Sequence, residues 1–222
     1  MSKSSFFKPF KGDKYETGIN GKKILVVGAS FYCNKTDCPF FADCTNVAKK
    51  DSSKYDKSCP EYINDGLLLS EEPWHTISER YRTYKVFANF ISQYLGDCDY
   101  DEVWTHLAFT NYVQFFLPSQ ATQKHYLSKR DFDAFIETLS QLKPDIVISW
   151  GVAFLDDIRA NNPYVVDKEL LERNEYYMCH MRGVPEVNHE ITLLSCYHPA
   201  SVSHWYNDLE LFEKYMQIAL NS

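Results

Sequence analysis

Apolar runs that end in glycine or a polar residue recur along the chain at wide intervals. The run 24–27 reads Ile-Leu-Val-Val and ends at Gly28, and 145–150 repeats the pattern before Gly151. Continuous runs rich in β-branched residues are typical of central parallel strands that are buried on both faces. A more mixed run is expected to end as a strand near Asn111. The strands predicted in this way cover 24–27, 102–113, 145–150 and 191–196.

Apolar residues spaced three and four positions apart lie between these runs and predict helices. In one such segment the apolar positions are Tyr84, Phe87, Ala88, Ile91 and Leu95. They fall on one side of an α-helix, and Pro144 marks the end of a second helical segment. The predicted helices cover 79–95, 131–142, 152–159 and 207–220. Strands that alternate with helices indicate an α/β fold, a three-layer sandwich with a mainly parallel central sheet.

The chain length and composition restrict the class of protein. With 222 residues and 45% hydrophobic residues, the chain is expected to form a single domain over 1–222 with a full core. Its formal net charge of −7 argues against a general nucleic-acid coat, although a local basic groove is compatible with it. No run has the length of a signal peptide or a membrane span, so we expect a cytoplasmic protein without a membrane partner.

A segment rich in cysteine and polar residues, 31–73, interrupts the alternation of strands and helices. A loop of this length within a compact domain is unusual unless something holds it. Its cysteines are Cys33, Cys38, Cys44 and Cys59, at spacings of five, six and fifteen positions. Four thiolates at these positions are a candidate site for zinc or an iron–sulfur cluster. Because no pair has the C-x-x-C spacing, buried free thiols or redox cysteines are the alternatives.

Three short segments carry the candidate chemistry, and each follows or ends an apolar run. They are 28–32 (Gly-Ala-Ser-Phe-Tyr), 109–112 (Phe-Thr-Asn-Tyr) and 198–201 (His-Pro-Ala-Ser). In an open α/β sheet, ligands bind at the carboxyl ends of the strands. An aromatic ring, an amide and a histidine that meet at this edge could hold and polarise a flat, hydrogen-bonding ring.

The order and spacing of these segments resemble the uracil-DNA glycosylase superfamily. The resemblance rests on the first motif at 28–32, on Asn111, on the strand that ends at Gly151 and on His198 with Pro199. It covers about residues 22–215. In that family a base is turned out of the DNA helix into a pocket and read on its Watson–Crick edge.

The resemblance implies a role for each matching residue. Asn111 would pair with the base through its amide, and His198 would stabilise the ring oxygen that gains negative charge as the glycosidic bond breaks. Tyr32 would form a wall of the pocket, and Phe41 or Phe109 would stack on the base. The base-binding set is therefore Gly28, Tyr32, Phe109 and Asn111. The loop residues Pro199, Ala200 and Ser201 would contact phosphates through N–H and hydroxyl groups.

One position departs from the family pattern. Family members often place Asp, Asn or Glu about two residues after the first glycine to orient water, and this chain has Ala29 and Ser30 there. A serine holds water but does not accept its proton near neutral pH. The candidates for organising water are Ser30 and Asn34, with Asp37 as a further alternative.

Two hypotheses of function follow, and a third stays open. The first is an enzyme that hydrolyses the N-glycosidic bond of a damaged or deaminated base in DNA, single-stranded or uracil-containing. The second is a non-catalytic binder of a nucleobase, nucleotide or modified nucleic acid. The third is an interaction module whose loop at 33–59 meets a protein. Outside these segments, His180 and His189 are interpreted as exposed, solvated side chains, and Cys196 as buried.

Overall fold

A computed structural model shows an α/β fold in which helices cover both faces of a six-stranded mixed sheet. The structure describes residues 8–32, 82–114, 116–117, 127–151, 154–173, 177–201, 205 and 208–222. The predicted excursion therefore lies largely outside the described residues, and so do its four cysteines.

The strands of the sheet are β1 (Phe10–Lys11), β2 (Ile24–Gly28), β4 (Leu107–Asn111), β6 (Ile146–Trp150), β7 (Met178–Met181) and β8 (Ile191–Cys196), while β3 (Phe31–Tyr32) pairs with β5 (Phe116–Leu117) separately. The strand order in the sheet is β1-β4-β2-β6-β8-β7. The four inner strands, β4, β2, β6 and β8, are parallel. The outer strands β1 and β7 pair antiparallel with their neighbours. The carboxyl ends of all four inner strands consequently lie at one edge.

Five α-helices lie in the described part of the chain, together with a 3₁₀ turn and a π-helical turn. They are α1 (Arg82–Ile91), the 3₁₀ turn Ser92–Leu95, α2 (Tyr100–Thr105), α3 (Lys129–Leu142), the π turn Asp156–Ala160, α4 (Lys168–Glu172) and α5 (Leu209–Asn221). The predicted helix over 131–142 is confirmed and begins slightly earlier. Ser128 caps it, since its hydroxyl accepts from the Asp131 N–H while the Asp131 carboxylate accepts from Ser128, a reciprocal capping box.

Two hydrophobic cores lie on opposite faces of the sheet. The face covered by α1, α2 and α5, here the α1 face, buries Phe87, Trp104 and Phe212 against alternate strand residues. The opposite α3 face buries Phe135 and Leu139 of α3 against the intervening strand residues. Because successive strand side chains point to opposite faces and both faces are covered, each inner strand is buried along its whole length and mostly apolar. This is why the runs at 24–27, 145–150 and 191–196 were recognisable as strands.

The predicted strand over 102–113 is wrong in its first part. Residues 100–105 form α2, whose first turn is capped by the Asp99 carboxylate accepting from the Glu102 N–H at 2.8 Å. Val103 and Trp104 are apolar because they face the core from this helix, not from a strand. A carboxylate cap and two acidic residues in the first turn favour a helix over an extended chain.

The sequence pattern also missed the antiparallel edges of the sheet. β1 has two residues and β7 has four, which is too short for periodicity to show. The segment interpreted as exposed instead contains β7, where His180 is partly buried and its Nδ1 lies 2.8 Å from the Asp167 carboxylate. His189 likewise is partly buried and bonds to the carbonyl of Pro144 at 3.1 Å.

The predicted helix 79–95 is described from residue 82 onward and comprises α1 followed by the 3₁₀ turn Ser92–Leu95. The segment 152–159 contains the π turn Asp156–Ala160, and residues 152–153 lie outside the described part. The C-terminal helix runs Leu209–Asn221, close to the predicted 207–220. None of the helices in the described residues is long and apolar enough to cross a bilayer.

Candidate functional site at the carboxyl edge of the sheet

Gly28 and Asn111 lie side by side at the ends of β2 and β4. They are register partners, and the pairing continues beyond the strands through Tyr112 N–H to Gly28 O and Val113 N–H to Ala29 O, both 2.9 Å. A Cβ added to Gly28 would lie 2.6 Å from Asn111 Oδ1 and 3.0 Å from Phe109 Cζ. Only glycine allows the amide to pack this closely, which explains the residue type at position 28.

Asn111 is 4% exposed, and its backbone carbonyl is held by Gln114. Gln114 Nε2 donates to the Asn111 carbonyl at 2.7 Å, and the Gln114 N–H donates to Asp131 Oδ1 at 2.7 Å. Asp131 is fully buried and also accepts from the Ser128 N–H and hydroxyl, each at 2.9 Å. The capping carboxylate of α3 therefore anchors the end of β4. Sequence reasoning missed this link, whose available signal was the S-x-x-D spacing before an apolar helix.

His198 lies two residues beyond β8 and is held by its own loop. The Ala200 N–H donates to His198 Nδ1 at 3.2 Å, and the Ser201 N–H donates to the His198 carbonyl at 2.7 Å. Burial lowers the pKa of His198 below its ordinary value of 6.5. A neutral imidazole whose Nδ1 accepts carries its proton on Nε2. The ring therefore offers Nε2–H as a donor.

The three loop residues after His198 differ in exposure. Pro199 is buried, Ala200 is exposed and Ser201 is partly exposed. The N–H groups of Ala200 and Ser201 organise the histidine. A contact of this loop with phosphate stays a prediction.

A run of aromatic rings connects the two halves of the edge. The centroids of Phe109 and Trp150 are 5.4 Å apart, and those of Trp150 and His198 are 6.0 Å apart in an edge-to-face arrangement. Gly151 has a φ of +84°, and a Cβ there would lie 3.6 Å from His198 Cβ. Trp150 and Gly151 thus support the histidine, and the repeated strand-then-glycine pattern was the sequence signal for them.

Phe109 is 2% exposed, and its contacts belong to the core. Its ring packs edge-to-face against Tyr84 at 5.2 Å and Trp104 at 6.0 Å. The ring also lies against Gly28, where an added Cβ would be 3.0 Å from Phe109 Cζ. Stacking of this ring on a ligand is not tested by these contacts and stays a prediction.

Tyr32 ends β3 and is partly buried. Burial raises the pKa of Tyr32, and the neighbouring Ser30 hydroxyl partly offsets that rise. The structure thus brings together Tyr32 and Ser30 of the first motif. The position of both side chains beside a ligand stays a prediction.

The remaining predicted site residues lie outside the described part of the chain. They are Asn34, Asp37, Phe41 and the candidate metal ligands Cys33, Cys38, Cys44 and Cys59. Among the residues that the structure describes, no group of three or more His, Cys, Asp or Glu side chains could hold a metal ion. The proposed zinc or iron–sulfur site is therefore not tested by the structure. Cys196, predicted to be buried, is 5% exposed.

Comparison with models of known protein families found no match, and comparison with curated protein sequences found none.

Proposed function

We propose that the chain binds a nucleobase of DNA at the carboxyl edge of the sheet and hydrolyses its N-glycosidic bond. The supporting observation is the position of two polar side chains on one face. Asn111 continues the alternation of Leu107 and Phe109 on the α1 face, and the His198 ring lies 6.0 Å from Trp150 of the core on that face. Three strand spacings of about 4.8 Å separate β4 from β8, about 14 Å in all. At this separation, amide and imidazole groups that both reach inward would contact one flat ring bound between them.

Asn111 would select the ring. An amide offers a donor and an acceptor in fixed geometry, which matches the paired carbonyl and N–H of a uracil-like edge. Its burial against Gly28 and the bond from Gln114 to its backbone remove freedom that binding would otherwise cost.

His198 would stabilise the leaving base. As the glycosidic bond breaks, the bonding electron pair stays with the base and negative charge collects on its carbonyl oxygens. A neutral imidazole donating from Nε2 stabilises this charge electrostatically. Water supplies a hydroxyl to the sugar carbon, and its proton passes to the departing base, so the reaction is a hydrolysis without a redox step.

Ser30 distinguishes this site from one with a carboxylate base. Its hydroxyl can orient water but accepts a proton poorly near neutral pH. Asn34, the other proposed water organiser, shares this limitation, so the hydrolysis is expected to be slow. The same feature favours the second candidate function, which is binding of a base or nucleotide without cleavage.

The test is release of uracil from a single-stranded, uracil-containing oligonucleotide. Asn111→Ala and His198→Ala are expected to lose at least about 100-fold in kcat/KM, since each removes stabilisation of the transition state. Asn161→Ala and His189→Ala are matched controls, because Asn161 is exposed and His189 bonds to Pro144 before β6. Both should stay within about twofold.

Calorimetric titration separates the two candidate functions. Saturable binding of uracil or a deoxyuridine nucleotide that Asn111→Ala abolishes, without product, would select the binder. A wild-type protein that neither cleaves nor binds any deaminated base would reject both.

A further inference from the structure

Tyr177 and Tyr215 form a stacked pair of rings at the side of the sheet where β8 ends. Their centroids are 6.1 Å apart and their planes differ by 8°. Tyr177 precedes β7 and Tyr215 lies on α5, and both are partly exposed. Aromatic rings in a folded core are usually enclosed, so two parallel tyrosines that reach solvent are a candidate binding surface.

Tyr177 lies at the same end of β8 as His198. The Ser195 N–H donates to the Tyr177 carbonyl at 3.0 Å, which places Tyr177 beside the end of β8. His198 is three residues beyond Ser195, at most about 11 Å along an extended chain. Tyr197, the residue before His198, is near enough to Tyr177 to affect its ionisation. Tyr177 and the proposed base site therefore lie at the same edge of the sheet.

The backbone that carries Tyr177 is held in place before any ligand arrives. Arg159 is 1% exposed, and its Nη2 lies 3.1 Å from the Leu193 carbonyl and 3.5 Å from the Tyr177 carbonyl. Burial and the nearby Asp208 carboxylate raise the pKa of the Tyr177 hydroxyl, so Tyr177 stays neutral. A surface with few rotamers left to lose binds flat ligands at low entropic cost.

A positive charge lies beside the pair. The ammonium group of Lys214 is over the Tyr215 ring, 5.8 Å from its centroid. It is within reach of a phosphate that follows a base stacked on the tyrosines. The Asp208 carboxylate repels phosphate at Tyr177, so the backbone of a bound strand is expected on the Lys214 side.

We infer that the Tyr177–Tyr215 pair is a stacking subsite for a base that flanks the one in the pocket, on a single strand of DNA. Bases in a duplex stack on each other and are not available to protein rings, whereas unpaired bases stack on aromatic side chains irrespective of sequence. The inference extends the proposed function, on which it rests, by selecting single-stranded DNA as the substrate form.

Fluorescence anisotropy with a labelled oligothymidylate of about eight nucleotides tests the subsite. Tyr177→Ala and Tyr215→Ala should each weaken binding about tenfold, because one base–ring stack is lost. Tyr177→Phe and Tyr215→Phe keep the ring and should bind within about twofold of wild type. Tyr100→Ala is the matched control, since Tyr100 is partly exposed and carries Lys85 over its ring at 5.6 Å, on the β4 side of the sheet.

Charge and stacking can be separated in the same assay. Lys214→Ala should reduce the slope of log affinity against log salt by about one, whereas Lys85→Ala should not change it. Equal affinity of the alanine and phenylalanine variants would overturn the subsite, and so would a wild type that does not bind the oligonucleotide.

Asn111→Ala distinguishes failure of the subsite from failure of the proposed function. Oligothymidylate affinity that depends on the tyrosines but not on Asn111, in a protein that ignores uracil, supports the subsite and rejects the base site. Uracil release that depends on Asn111 and is unaffected by either tyrosine substitution supports the base site and rejects the stacking subsite.

Discussion

The amide oxygen of Asn111 packs against the α-carbon of Gly28, at a distance that leaves no room for a methyl group. Two strands that are 79 residues apart at their closest ends (28 and 107) are joined here. The backbone bonds from Tyr112 to Gly28 and from Val113 to Ala29 keep this contact fixed. A substitution at position 28 therefore tests whether the position of the Asn111 side chain matters for ligand binding.

Gly28→Ala should displace Asn111 and reduce base binding or uracil release by at least about tenfold. The new methyl would approach Asn111 Oδ1 to 2.6 Å, and relief of such overpacking costs about 1–3 kcal/mol of stability. Gly183→Ala is the control. Its φ of +75° makes alanine strained, at a cost of about 1–2 kcal/mol, but the space around it is open. Equal ligand affinity in the two variants would contradict a role for the contact.

The pH dependence of the site should follow His198. Burial lowers its pKa from 6.5, so the neutral Nε2–H donor persists as the pH falls below 6.5 and is lost only on passing the lower folded-state pKa. As the pH falls below 6.5, this histidine is protonated in the unfolded chain before it is protonated in the folded protein. The contribution of His198 to stability is therefore complete above pH 6.5 and declines as the pH falls.

Two measurements check the histidine. NMR titration of His198 in the wild type gives its pKa directly, and the acidic limb of kcat/KM should match it. The free energy of unfolding should fall less steeply with acidification in His198→Ala than in the wild type. An acidic limb at or above pH 6.5 would show that another group controls the reaction.

Asp131→Ala should destabilise the protein by about 2–4 kcal/mol, because three buried donors lose their acceptor. Those donors are the Gln114 N–H, the Ser128 N–H and the Ser128 hydroxyl. Asp133→Ala on the same helix removes only an exposed ion pair with Lys129 and should cost less than about 0.5 kcal/mol. Urea unfolding measures both.

Through Gln114, Asp131 is also expected to hold Asn111 in position, and activity separates this role from its contribution to stability. Under conditions in which both variants remain folded, Asp131→Ala should lower kcat/KM for uracil release, while Asp133→Ala should not. Native-like activity in a destabilised Asp131→Ala protein would show that the link through Gln114 does not control the site.

The cysteine hypothesis predicts a bound metal. Protein purified without oxygen should contain either zinc without colour or iron with visible charge-transfer absorption. Serine substitutions at the candidate ligands Cys33, Cys38, Cys44 and Cys59 should remove it. Cys98→Ser should not remove it. A native protein free of metal would reject the hypothesis.

Burial raises the pKa of Cys179 to about 11. Cys179 should therefore resist thiol reagents until the chain unfolds.

The parts of the fold that sequence predicted share a local cause. The runs at 24–27, 145–150 and 191–196 are mostly apolar because both faces of the sheet are covered, and that signal needs no knowledge of partners. The helix Lys129–Leu142 likewise carries its own start signal at Ser128. The segment 102–113 failed because an apolar pair, Val103 and Trp104, fits a strand or a helix equally well.

By itself, the order of apolar runs determined that the chain alternates strands with helices, that Gly28 and Asn111 lie at strand ends, and that His198 follows a strand. Tertiary structure decided the rest. It placed β7 antiparallel at an edge, anchored Asn111 through Gln114 to α3, and bound Nδ1 of His198 to the Ala200 N–H. Each of these depends on a non-local contact or on the direction of one hydrogen bond, and neither leaves a periodic trace in sequence.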